Sequence, residues 1–189
     1  MMLKKTLKFI SETLKVVIIS LVVILPVRYF LFQPFYVMGA SMEPSFFDRE
    51  YLIIDEISYR FNAPERGDVV IFRYPENQRE FFIKRIVGLP EEGVEIRNGS
   101  IYVYNSDHQN GFMLPEPYLG TDISTAGDTD GIIRLKADEY YVLGDNRDFS
   151  LDSREFGPVK SDLIKGRAFF RGWPLKRVDV LRTPDYGIN

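Results

Sequence analysis

Gly93–Asn105 reads GVEIRNGSIYVYN. Two strand-like apolar runs flank Asn98–Ser100, and Asn-Gly at such a junction is a strong hairpin signal. The same kind of run recurs along the chain. EYLIIDEIS (Glu50–Ser58), GDVVIFRYP (Gly67–Pro75), EFFIKRIVG (Glu80–Gly88), GIIRLKADEYYVLG (Gly131–Gly144) and KGRAFFRGWP (Lys165–Pro174) are all bounded by Gly, Pro or Asp and read as strands. No long helical periodicity appears after residue 35. The pattern predicts a mainly β domain of antiparallel sheets. Asp107–Gly131 breaks it. That stretch is polar and Gly-rich, holds Pro115 and Pro117, and reads as a variable loop or insert, spanning about 105–131.

The 189 residues suit one domain with a short appendage. There is no cysteine, which excludes disulfides, thiolate zinc sites and a thiol nucleophile. The single histidine, His108, makes a His-rich metal site implausible. The expectation is therefore no metal and no cofactor. Net charge is -3, unevenly spread. Residues 1–32 carry Lys4, Lys5, Lys8, Lys15 and Arg28 against Glu12; five cations and one anion leave +4, so the remainder holds -7 of the -3 total. An acidic globular part argues against nucleic-acid binding.

Val16–Val27 reads VVIISLVVILPV, without a charge. Twelve residues are short of the roughly 20 a membrane span needs. Lys15 and Arg28 can snorkel, and Tyr29–Phe32 extend the run, so a span from about Leu14 to Phe32 is adequate, with Pro26 tolerated late in it. Lysines before the segment place the N-terminus in the cytoplasm and the rest outside. Residues 1–32 thus read as cytoplasmic N-terminus and single-pass anchor, and 33–189 as an extracytoplasmic domain at the cell membrane. A cleavable signal peptide and a buried soluble helix are the competing readings.

Three segments carry candidate chemistry. Ser41 follows Gly39 and Ala40, which lack bulk, and precedes Pro44. GASME is not a Gly-x-Ser-x-Gly elbow, and no Ser-x-x-Lys occurs in the chain. Lys84 lies in a strand pattern where it shares a face with Phe82 and Ile86, while Phe81, Ile83, Arg85 and Val87 take the other. Burial there would depress its pKa; an edge-strand lysine reaching water fits the same residues. GDNRDFSLDSREFGPV (Gly144–Val159) is rich enough in Asp, Arg, Ser and Asn for a tightly hydrogen-bonded loop or for a solvated turn.

Together these pieces resemble the bacterial type I signal peptidases, membrane serine proteases with a Ser-Lys dyad. The matching segments are SMEP (Ser41–Pro44), GDVVIF (Gly67–Phe72), KRIVGLP (Lys84–Pro90), Gly144–Val159 and GRAFF (Gly166–Phe170). Their order and spacing, and the preceding anchor, agree over most of the chain except Asp107–Gly131. The resemblance implies a signal-peptidase-like β-domain behind one transmembrane helix. It implies Ser41 as nucleophile and Lys84 as general base, with Ser150 orienting the lysine, Asp145 pairing with Arg85, and Asp152 and Arg154 in a supporting loop. Strand alternation sends Arg85 away from Lys84, so that ion pair can lock the strand without holding the lysine charged. Gly39 stands where some members carry a hydroxyl oxyanion donor; the Ser41 N–H remains as one donor.

The implied substrates are signal peptides of preproteins, cut after small residues of Ala-x-Ala type. Candidate pocket walls are Phe35, Val37, Met38, Ile54, Phe82 and Ile86, with the substrate pairing as an added strand. The aromatic residues of Phe30–Tyr36 and Phe46–Phe47 suit either core packing or the bilayer interface. A dedicated processing peptidase for one substrate, and a non-catalytic membrane-tethered binding domain, remain as alternatives. A resemblance to self-cleaving repressor domains is disfavoured by the anchor and by the lack of a DNA-reading helical domain.

Overall fold

In the computed structural model, residues 2–30, 32–120, 123–127, 129 and 131–187 are described, without the side chains of residues 2–4, 7, 23, 25–30, 32 and 33. Helix α1 (Met2–Phe30) comes first. Between Lys5 and Ile24 every described side chain is exposed, including Phe9, Leu14, Val16, Ile19 and Val22. Among the described residues no helix is long and apolar enough to cross a membrane. The span expected over Leu14–Phe32 falls in part outside the described residues.

The remainder is mainly β. Strands β1 (Phe32–Tyr36), β2 (Tyr51–Asp55), β3 (Val69–Arg73), β4 (Phe81–Gly88), β5 (Gly93–Arg97), β6 (Ser100–Tyr104), β7 (Phe112–Met113), β8 (Ile133–Arg134) and β9 (Glu139–Leu143) precede a single helical turn, α2 (Ser153–Phe156). Strands β10 (Val159–Lys160), β11 (Ile164–Trp173) and β12 (Asp179–Val180) follow. The larger sheet runs β1-β2-β11-β3-β4-β9-β10, with β12 on β11; the smaller runs β7-β6-β5-β8. Every recorded pairing is antiparallel.

Local sequence explains the pairing. The β5–β6 hairpin turns at Asn98 and Gly99, both at positive φ (51° and 78°), which is the backbone an Asn-Gly turn favours. Gly131–Gly144, expected as one strand, is two. The Glu139 carboxylate accepts from the Lys136 N–H and pairs with Lys136 Nζ, which makes a corner. Strand β8 therefore joins the small sheet and β9 the large one.

Strand β4 carries the period-2 pattern into the core. Ile86 packs with Val70, Phe72 and Val142, with Phe82 against that cluster, whereas Ile83 packs with Val37, Leu52 and Ile54. Opposite faces of one strand thus serve two cores. From segment 105–131, Leu114 enters the core of the small sheet, and Thr125 is buried.

Candidate active site

Ser41 sits in the turn after β1. Gly39 holds φ +84°, which favours glycine, and donates its N–H to Asp48 Oδ1 at 2.8 Å. Buried Met42 and Phe46 root the turn in the core, and Phe46 N donates to Met42 O at 2.8 Å. From the far end of the sequence, Asn146 grips the same turn: its N–H donates to the Ser41 carbonyl at 3.1 Å and its Nδ2 to the Ala40 carbonyl at 3.0 Å. Gly144 permits this approach. A Cβ there would fall 2.5 Å from the Ser41 carbonyl oxygen and closer still to Ser150 Oγ.

Lys84 projects from β4 with 3 % of its surface exposed. Its Nζ lies 2.8 Å from Ser41 Oγ and donates to the Ile83 carbonyl at 3.0 Å. The Phe82 ring lies 5.3 Å away. Burial pushes the Lys84 pKa down to about 8, against the opposing pull of the Asp152 and Asp145 carboxylates. A lysine in that state is the free amine above about pH 8 and in a minor fraction at pH 7, within reach of a hydroxyl.

Arg85 takes the other face. Its Nε donates to Asp145 Oδ1 at 2.9 Å and its Nη2 to Oδ2 at 2.6 Å, a bidentate pair with Asp145 fully buried. Burial opposes the Arg85 charge, but Asp145 outweighs it and raises the pKa. Asp152 caps α2, accepts from the Gly144 N–H at 3.0 Å, and pairs with Arg154 at 2.9 Å. Burial raises its pKa, and the Arg154 and Gly144 hydrogen bonds more than offset this, leaving it lowered.

The Ser150 hydroxyl is buried beside the Asp152 carboxylate, whose pKa it helps to lower, and the Lys84 amine bonds Ser41 and Ile83. The Ser150 Oγ is packed against Gly144, so the turn fixes it sterically.

A cavity of about 580 Å³ opens beside the Ser41–Lys84 pair. Of the six expected wall residues, Phe35, Met38 and Phe82 line it. Val37, Ile54 and Ile86 do not; all three are buried in the cores, Ile54 and Ile86 from the inward faces of β2 and β4 and Val37 from the segment just after β1, whose backbone bonds Arg49 and Glu50. Tyr36, Glu80, Phe81, Ile83 and Leu151 also line it and were not anticipated. The signal for Phe81 and Ile83 lies in the topology: β4 pairs with β3 throughout, but with β9 only from Arg85 onward, so one edge of Phe81–Lys84 is left unpaired and borders the opening. Among the described residues no His, Cys, Asp and Glu cluster is fit to hold a metal.

An antiparallel β-domain with a buried lysine against a serine hydroxyl, beside an apolar cleft, has the makings of a hydrolase of peptide bonds. Residues 10–173 match the family described as signal peptidase, peptidase S26, and the chain belongs to that family. It is 37% identical over 172 residues to a probable signal peptidase I-2 of Synechocystis sp., covering 88% of this chain and 75% of that one. Signal peptidase I of Leptolyngbya laminosa is 36% identical over 93% of this chain and 85% of its own. Signal peptidase IB of Staphylococcus aureus is 32% identical over 94% and 97%. A crystal structure of a signal peptidase I from Enterococcus faecalis aligns with a TM-score of 0.46 at 31% identity, covering 56% of this chain and 97% of that one.

Proposed function

We propose that the protein is a membrane-anchored signal peptidase I that cuts preproteins after small residues, with Ser41 as nucleophile and Lys84 as general base. One observation carries this reading: a buried Lys84 amine 2.8 Å from Ser41 Oγ, at the wall of an apolar cavity.

Lys84 takes the Ser41 proton as Oγ attacks the scissile carbonyl. The Ser41 N–H, which makes no hydrogen bond to the described residues, is placed to donate to the developing oxyanion. Collapse of the tetrahedral intermediate breaks the peptide C–N bond, and the Lys84 ammonium protonates the leaving amine. Lys84 then deprotonates a water that hydrolyses the acyl-enzyme, returning Ser41 to its hydroxyl. The signal peptide lies extended between β1 and the half-paired edge of β4, as an added strand. Phe35, Met38 and Phe82 narrow the cleft against large side chains next to the cut. Helix α1 serves as the single-pass anchor, with its lysines on the cytoplasmic side and the β-domain outside. Its exposed apolar residues match a lipid neighbour better than water.

The test is cleavage of a preprotein with an Ala-x-Ala site by the full chain in detergent micelles. Release of the mature protein is expected. Replacing the Ala before the cut by Phe should lower the rate by about 100-fold or more, since a rigid pocket cannot admit it without strain. Equal cleavage of the Phe substrate would contradict the specificity, and no cleavage of any preprotein would contradict the function.

A further inference from the structure

Segment 105–131 has no role in the chemistry described so far, yet two of its side chains, those of Glu116 and Tyr118, reach the arginines that flank the Ser41–Lys84 pair. Pro117 and Tyr118 form a turn closed by the Leu119 N–H, which donates to the Glu116 carbonyl at 3.0 Å, and proline suits its first central position. The turn brings the Tyr118 side chain back to Glu116. The Tyr118 ring lies over the Arg85 guanidinium, 3.9 Å from its centroid, and its hydroxyl donates to Glu116 Oε1 at 2.7 Å. The Glu116 carboxylate in turn accepts from both Nη atoms of Arg147, one at 3.1 Å. Thr125 Oγ1 accepts from Nη1 as well.

These two arginines border the reactive pair. Arg85 follows Lys84 on β4 and is tied to Asp145. The Arg147 side chain, 1% exposed, donates from Nε to the Gly144 carbonyl at 2.9 Å. It thereby closes the turn whose Asn146 holds the Ser41 and Ala40 carbonyls. One tyrosine and one glutamate thus brace both the strand that bears the amine and the turn that grips the hydroxyl.

We propose that Glu116 and Tyr118 are positioning residues for the Ser41–Lys84 pair, acting through Arg147 and Arg85. This rests on the reading of that pair as the reactive centre. Neither residue lines the cavity, so their effect falls on turnover and not on substrate binding.

The experiment compares Tyr118→Leu, Tyr118→Phe, Glu116→Ala and Glu116→Gln in the full chain in micelles. It measures kcat and KM on one preprotein, at a temperature where urea titration shows each variant folded. Tyr118→Leu and Glu116→Ala should lower kcat on the order of tenfold to 100-fold, with KM within about twofold, as small misplacements of reacting groups do. Tyr118→Phe keeps the ring on Arg85 and should recover kcat to within about threefold, and Glu116→Gln should fall between. Wild-type kcat in folded Tyr118→Leu and Glu116→Ala would overturn the proposal. So would a loss explained wholly by fewer folded molecules. Ser41→Ala is assayed alongside: turnover there would overturn the Ser41–Lys84 reading itself. Inactive Ser41→Ala with unaffected Tyr118→Leu would overturn the positioning role alone.

Discussion

Lys84→Met is expected to lower kcat/KM by about 1,000-fold or more while leaving a protein at least as stable as the wild type at pH 7. The loss follows from removing the amine beside Ser41 Oγ. The stability gain follows from desolvation. The displacement from the usual 10.5 to about 8 corresponds to roughly 3 kcal/mol. Two hydrogen bonds lost with the amine offset about 1–2 kcal/mol of that. The pH dependence fixes the sign. Below pH 8 both folded and unfolded chains hold the proton, and the wild type bears the full burial cost. Between pH 8 and 10.5 the unfolded chain binds more protons than the folded one, so wild-type stability rises with pH and the advantage of the variant shrinks. Wild-type kcat/KM should climb about tenfold per pH unit below 8 and level off above it. Urea titrations of both proteins at pH 7 and pH 10, beside a pH–rate profile, check all three statements. A flat profile, or a variant that cleaves, would contradict them.

Asp145→Ala should destabilise the domain by about 3–5 kcal/mol, because it strands a buried guanidinium. Asp145 is fully buried and Arg85 is 4% exposed. The remaining partners of Arg85 are the Gly67 carbonyl, Ser45 Oγ and the Tyr118 ring, none of them anionic. A small domain holds only about 5–15 kcal/mol in total, so much of the fold's margin goes with one carboxylate. Replacing both partners together, Arg85→Met with Asp145→Leu, should cost far less, since no charge is left uncompensated. The check is the urea midpoint of the single and double variants. A loss under about 1 kcal/mol in Asp145→Ala would show that the ion pair is not what secures β4.

The strands were legible because apolar residues alternate between glycine and proline boundaries, and the Asn98–Gly99 corner was legible as chemistry. The break between β8 and β9 was not: it depends on Glu139 turning back to Lys136, a contact that the apolar run conceals. Ser41 and Lys84 stood out only when three distant segments were taken together, since neither residue is unusual alone. The cavity walls were half legible. Period-2 alternation tells which residues share a face, but not which face is core, and so Val37, Ile54 and Ile86 were misplaced. Leu151 lines the cavity from a polar loop where no periodicity applies. Glu116 and Tyr118 were hidden because their partners, Arg147 and Arg85, lie about 30 residues away on either side in a fold that the Pro-rich segment does not itself specify.

The most direct measurement of the Ser41–Lys84 account is the site of covalent capture. A peptide phosphonate with Ala at its first and third positions, incubated with the full chain in micelles, is digested and mapped by mass spectrometry. The account predicts one adduct, on Ser41, formed rapidly in the wild type and at least about 100-fold more slowly in Lys84→Met. An adduct on another residue, or undiminished labelling of Ser41 in Lys84→Met, would contradict it.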